Sequence, residues 1–265
     1  MVKLQAAGKA DPNAAIKGVL FGHSGAGKSY TGATAPKPAI LLTERNGLQS
    51  IRASNPDAAY SYCSTIGEVR DFVMSAHNGE LQKAGYETLV IDSLTEVQRL
   101  IMDDIALTLA TNAKWGFDEW REMTERMRRF MRMIRDLDMH VLAICLADRR
   151  TDEGGGNIHV APSFQGKKIA DEVAQYFNFV GYQFKRAGTD GEGNPTTDYR
   201  VMFNGPDRYV CKSCHPLTGI CEPNVSAWFD TIVEANRDGG TGAPTEPAKP
   251  TPAPRRRTRR STNGA

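Results

Sequence analysis

The sequence predicts an α/β fold: a mostly parallel central sheet, helices on both faces and a C-terminal antiparallel hairpin at the sheet edge. Short apolar runs alternate with stretches of helical period, the pattern of strands connected through helices. The runs carry no polar side, as strands covered above and below require. After residue 176 the style changes to strands divided by Gly- and Pro-containing turns, which suits a hairpin.

Residues 1–15 read as a leading segment. Gly18-Val19-Leu20-Phe21 is the first apolar run and stops at a glycine-rich loop, from which Lys28–Thr34 continues as a helix. Ala39–Thr43 is the second run, Thr88–Ile91 the third, closing on Asp92, and His140–Leu146 the fourth. Ile66–Ser75 and Leu94–Thr111 fit helices. The clearest helix is Asp118–Asp136, where Trp120, Met123, Met127, Phe130, Met131 and Ile134 recur at three- and four-residue steps as a core-facing stripe. Arg128, Arg129, Arg132 and Arg135 fill its solvated side. Phe179–Lys185, Asp198–Asn204 and Arg208–Lys212 read as strands, and Val225–Asn236 as the last helix. One core therefore spans 16–237. Beyond it, residues 238–265 are dominated by Gly, Thr, Pro and Ala and end in Arg255-Arg256-Arg257-Thr258-Arg259-Arg260. Such a segment has too little apolar surface to offset the entropy of ordering it, so it reads as a disordered basic tail able to meet phosphate backbones or an acidic partner.

With 265 residues, 40% hydrophobic and 24% charged, the chain can bury a core without disulfides. A net charge of only +2 excludes a polycation, so nucleic acid would have to be met by local clusters. No run approaches the roughly 18 apolar residues of a membrane span, and the leading residues lack the apolar stretch of a secretory signal. The expectation is a cytoplasmic protein without membrane contact. Five irregularly spaced cysteines do not make a disulfide framework.

Gly22-His23-Ser24-Gly25-Ala26-Gly27-Lys28-Ser29 fits the phosphate-loop pattern G-x-x-x-x-G-K-[ST] at every fixed position, between a strand and a helix, with Tyr30 next in line. Backbone N–H groups in a concave glycine loop can surround a polyphosphate, and the following helix points its positive end at the same place. Lys28 adds a mobile charge on the β- and γ-phosphates, and the Ser29 hydroxyl can ligate Mg²⁺. The implied ligand is ATP with Mg²⁺.

Asp92, at the tip of the third run, is placed to hold the magnesium. Glu44, ending the second run, can orient and activate water if that strand lies beside the loop; otherwise it is a surface carboxylate paired with Arg45 or Arg52. Asp148, after the fourth run, is either a γ-phosphate sensor or an ordinary loop aspartate.

The order of these parts resembles the RecA-like ATPase core. The segments FGHSGAGKSYTG, ILLTERNGLQSI, TLVIDSLTEV and RYVCK, at 21–32, 40–51, 88–97 and 208–212, are similar to phage RecA-like ATPases of the single-strand-annealing and recombination group, also described as phage nucleotide-binding or AAA-type proteins. The resemblance covers roughly 15–235. It implies ATP hydrolysis coupled to single-stranded DNA in phage recombination or replication, in the host cytoplasm, as a homo-oligomer beside a single-strand-binding protein. It places DNA contacts in a mobile loop over Arg149–Lys168, with Arg149, Arg150, Lys167 and Lys168 as cations and Phe164 as a stacking surface. It also implies a cation reaching the ATP site from a neighbouring subunit, here Arg208 or Lys212. Asp148 departs from the amide that RecA-like proteins commonly carry nearby.

Cys211, Cys214, His215 and Cys221 offer a zinc-type donor set, though Cys211 falls inside an expected strand. C-x-x-C-H also resembles a haem attachment site, which the lack of an export signal argues against. Two rival functions stay open: an annealing protein in which ATP is only an assembly switch, and a phosphate-loop nucleotide kinase.

Overall fold

The computed structural model describes residue 6 and residues 10–110, 113–151, 158–214 and 216–238, without the side chains of residues 167, 168 and 171. The expected tail, from residue 239 on, and His215 lie outside the described residues.

The strands are β1 (Lys17–Gly22), β2 (Pro38–Leu42), β3 (Ala59–Tyr62), β4 (Thr88–Asp92), β5 (His140–Thr151), β6 (Ile158–Pro162), β7 (Phe179–Thr189), β8 (Pro195–Met202), β9 (Lys212–Ser213) and β10 (Ile220–Cys221). The helices are α1 (Lys28–Gly32), α2 (Leu48–Ser54), α3 (Ile66–His77), α4 (Glu80–Lys83), α5 (Leu94–Ala106), α6 (Phe117–Arg135), α7 (Lys167–Glu172) and α8 (Val225–Arg237). The strands form one sheet in the order β10-β8-β7-β1-β5-β4-β2-β3, with β6 on β5 and β9 on β7. From β7 to β3 all pairings in that order are parallel. β8 turns back along β7, and β10 along β8, as an antiparallel edge.

Alternation along each buried strand divides the core in two. Val19, Phe21, Val141, Ala143 and Cys145 face a core made with α3, α5 and α6. Leu20, Leu142 and Ile144 face a second, made with α2 and α8. The stripe on α6 buries Met123, Met127, Phe130, Met131 and Ile134 in the first core. Trp120 is the exception: it is 39% exposed and meets Trp115 edge-on. Among the arginines of the other side, Arg128 pairs with Glu125 and Glu172, and Arg135 with Asp136.

Three segments differ from expectation. β3 was not foreseen, because its alternate residues are half exposed and it lacks an unbroken apolar run. The stretch after the fourth run is no simple loop: β5 continues to Thr151 and pairs with β6 as a ribbon. Arg208–Lys212 is not a continuous strand; Tyr209 makes an isolated bridge to Val160, and regular pairing starts only at β9.

Candidate active site

The glycine loop leaves β1 at Gly22 and enters α1 at Lys28. Gly25 and Gly27 have φ of 76° and 86°, in the left-handed region that favours glycine. A Cβ at Gly22 would lie 2.4 Å from the Gln183 carbonyl oxygen of β7, so the backbone can pass only as glycine. Lys28 folds back over this loop, its Nζ donating to the His23 carbonyl at 3.0 Å. Burial holds its ammonium below the usual lysine range, against the charges of Asp92, Cys145 and Glu44, which raise it.

Asp92 closes β4 at 8% exposure. Burial pushes its carboxyl up, while the Ser29 hydroxyl and the Lys28 charge pull it down. Its Oδ2 is buried without a hydrogen-bond partner. Thr43 fixes the strand tip: its N and Oγ1 donate to the Asp92 carbonyl at 2.8 and 3.1 Å, and Oγ1 accepts from Ser93 N at 2.9 Å. Gly47 backs the pair, since a Cβ there would stand 3.3 Å from Asp92 Oδ2 and 3.5 Å from Ser29 Oγ. A buried, unpartnered carboxylate oxygen close to a hydroxyl is a hard-oxygen donor set that fits Mg²⁺.

Leu42 pairs with Asp92 in register, which carries the chain past Thr43 to Glu44 above the same strand ends. β2 does not lie beside β1, as a direct reach to the loop would suggest; β5 and β4 stand between. Glu44 nevertheless lines the same cleft as the loop. It is exposed and held in no ion pair among the described residues, and Arg45 instead lies 4.4 Å over the Tyr62 ring. The cleft, about 410 Å³, is lined by Ser24, Gly25, Gly27, Lys28, Ser29, Glu44 and Asp92. Asn46, Ser50 and Arg99 also line it and were not foreseen; Arg99 is bound at 2.9 Å by Glu96.

The other expected residues are placed as follows. Ala26 is buried in the loop, and Tyr30 is 46% exposed on α1. His23 turns its ring edge to Tyr182 at 6.4 Å, with Nε2 buried and unpartnered. Asp148 lies on β5 beyond Leu146, 3.4 Å from Arg150. Arg149 is exposed, whereas Arg150 also donates to the Phe164 carbonyl at 3.2 Å. Phe164 is only 6% exposed and belongs to the core, so it is not free to stack on a base. The side chains of Lys167 and Lys168 lie outside the described residues. Arg208 is exposed, its guanidinium 5.0 Å over the Tyr209 ring. Lys212 is not free to reach a neighbour, because its ammonium donates to the Ala174 and Phe177 carbonyls, both at 2.9 Å.

The zinc reading is also corrected. Cys211 packs on the first core, and Cys221 on the second, across the sheet. Burial pushes the Cys211 thiol up to about 12. Among the described residues no group of three or more His, Cys, Asp or Glu could hold a metal ion.

A family model described as an AAA domain matches residues 14–215. The chain belongs to the AAA domain family. The match takes in the phosphate loop and both strand-end carboxylates of this AAA domain. No curated protein matches the chain. Among solved structures it is similar to a prototypical ATPase from the type III secretion system of pathogenic bacteria, at 14% identity and a TM-score of 0.41. That match covers 64% of this chain and 52% of the other, so the AAA protein spans about half the length of that ATPase. Among the described residues no helix is long and apolar enough to cross a membrane.

Proposed function

We propose that this AAA-domain protein binds ATP with Mg²⁺, hydrolyses it, and couples turnover to single-stranded DNA in phage recombination or replication. The observation that carries the chemistry is the meeting of Lys28, Ser29, Glu44 and Asp92 on one cleft, with an Asp92 oxygen buried and unpaired. The loop amides and Lys28 hold the β- and γ-phosphates. Bound Mg²⁺ would offset phosphate charge, held by Ser29 and Asp92. Glu44 takes the proton of a water whose oxygen attacks the γ-phosphorus. The bond from that phosphorus to the β–γ bridging oxygen breaks, and ADP and phosphate leave. The DNA half of the reading is supported by the RecA-like resemblance and by exposed Arg149 on the β5–β6 ribbon.

Two measurements test it. In calorimetry Lys28→Ala takes up no nucleotide, while Glu44→Gln binds ATP normally and cleaves it about 10²-fold more slowly, the scale of a lost general base. A normal rate in Glu44→Gln places the base elsewhere. Single-stranded DNA raises the ATPase rate of the wild type and raises it less in Arg149→Ala; a rate indifferent to DNA removes that half of the proposal.

A further inference from the structure

The cleft accounts for one end of a nucleoside triphosphate. Glu44 and Asp92 rise from β2 and β4, on one side of the glycine loop, and gather the γ-phosphate and its cation there. A polyphosphate laid along the loop from that end must bring its nucleoside out elsewhere. Across β1 from the carboxylates the sheet continues into β7 and β8.

That hairpin presses on the loop through one face. Lys185 and Tyr199 stand directly opposite each other in register, so their side chains share a face, and Gln183 shares it two residues earlier. Gln183 is 1% exposed and donates to Thr31 Oγ1 at 2.8 Å, which donates in turn to the Gly27 carbonyl at 3.1 Å. A Cβ at Gly27 would stand 3.2 Å from the Tyr199 ring, and one at Gly25 would stand 3.9 Å from Lys185 Nζ. Yet Tyr199 keeps 39% of its surface in solvent. Lys185 is exposed and held in no ion pair among the described residues. A half-open aromatic ring against a loop glycine, with an uncommitted ammonium opposite it, is what a flat base joined to an anionic chain would use.

We infer that the β7–β8 hairpin is the nucleoside side of the site: Tyr199 receives the base on its ring face, and Lys185 adds a cation at the phosphate loop from within the same subunit. This rests on the proposed nucleotide reading. Stacking of a base on an aromatic ring contributes enough that its loss weakens binding about tenfold or more. Inorganic tripolyphosphate has the charge but no base, so it separates the two roles.

The experiment is calorimetric titration of the full chain with Mg-ATP and, separately, with Mg-tripolyphosphate. Tyr199→Ala should weaken ATP about tenfold and leave tripolyphosphate unchanged, with Tyr199→Phe restoring ATP. Lys185→Gln should weaken both ligands several-fold, as loss of a phosphate cation does. Equal loss of both ligands in Tyr199→Ala would mean that the ring only props the loop, and unchanged ATP affinity would mean that it takes no base; either overturns the inference. Wild-type protein binding ATP no better than tripolyphosphate overturns the inference alone. Wild-type protein binding neither overturns the nucleotide reading as well.

Discussion

At Asp92 a carboxylate is buried at the mouth of a cleft with one oxygen unpaired. In the ligand-free protein that burial disfavours its charge, so its folded-state pKa lies above the unfolded value. The folded chain then holds this proton to higher pH than the unfolded chain. Its contribution to stability is fully present below the unfolded value, near 3.8, and is lost as pH rises through the folded one. Asp92→Asn removes the charge. Without ligand it should melt above the wild type at neutral pH, with the gap closing as pH falls toward 4. Added Mg-nucleotide should raise the melting temperature of the wild type, by selective binding to the folded state, and raise that of Asp92→Asn less. Melting curves from pH 4 to 8 check both; a variant melting lower at every pH would show that the carboxylate stabilises the apo fold. This chemistry was half legible. Lys28, Ser29, Glu44 and Asp92 stand at fixed spacing or at strand ends, which sequence displays. Thr43, Gly47, Gln183, Lys185 and Tyr199 were not legible as site residues. Each acts through contact with a distant part of the chain, as in the Gln183–Thr31 bond across 152 positions.

Among the elements, α1 is the one whose placement the site depends on, because the loop enters it directly. It lies close over the sheet at Gly32, where a Cβ would stand 2.8 Å from Ile144 Cδ1 and 3.2 Å from Val90 Cγ1. Gly32→Val should therefore cost about 1–3 kcal/mol through overpacking and weaken nucleotide binding as the loop shifts. Gly67→Ala on α3, whose nearest new contact is 3.8 Å away, should leave nucleotide binding within error and hold or raise stability by up to about 1 kcal/mol, and controls for the loss of a glycine. Urea unfolding of the two variants decides it; equal midpoints would mean that α1 has room to move. The buried strands were readable because covering on both faces forces unbroken apolar runs. β3 was not, because an edge strand shows water one side. The strand order was not either: nothing in the chain says that β5 and β4 separate β1 from β2. Phe164 and Lys212 were misjudged for a related reason. A residue type suited to a ligand, between glycines or in a basic segment, gives no sign that the fold already uses it in a core or on carbonyls.

At the scale of the whole molecule, the cleft is lined by two cations, Lys28 and Arg99, and Arg99 is occupied by Glu96. Charge developing on the γ-phosphate would be further offset by a cation brought in by a neighbour, and a homo-oligomer can supply the same residue at each interface. With Lys212 committed inside its own subunit, Arg208 is the remaining member of the expected pair. Its guanidinium is exposed, and its only contact among the described residues' ring and ion-pair interactions is the Tyr209 face. If Arg208 acts across the interface, Lys28→Ala and Arg208→Ala should each be inactive alone, for different reasons. Mixed and allowed to assemble, they form some sites in which an intact loop from one subunit meets an intact arginine from the other. Random equal mixing around a closed ring restores about a quarter of wild-type turnover. Activity should also fall on dilution below the assembly range. An Arg208→Ala protein that hydrolyses ATP at the full rate, or a mixed assembly confirmed by sizing that recovers nothing, would leave the cis residues of the cleft to complete the reaction by themselves.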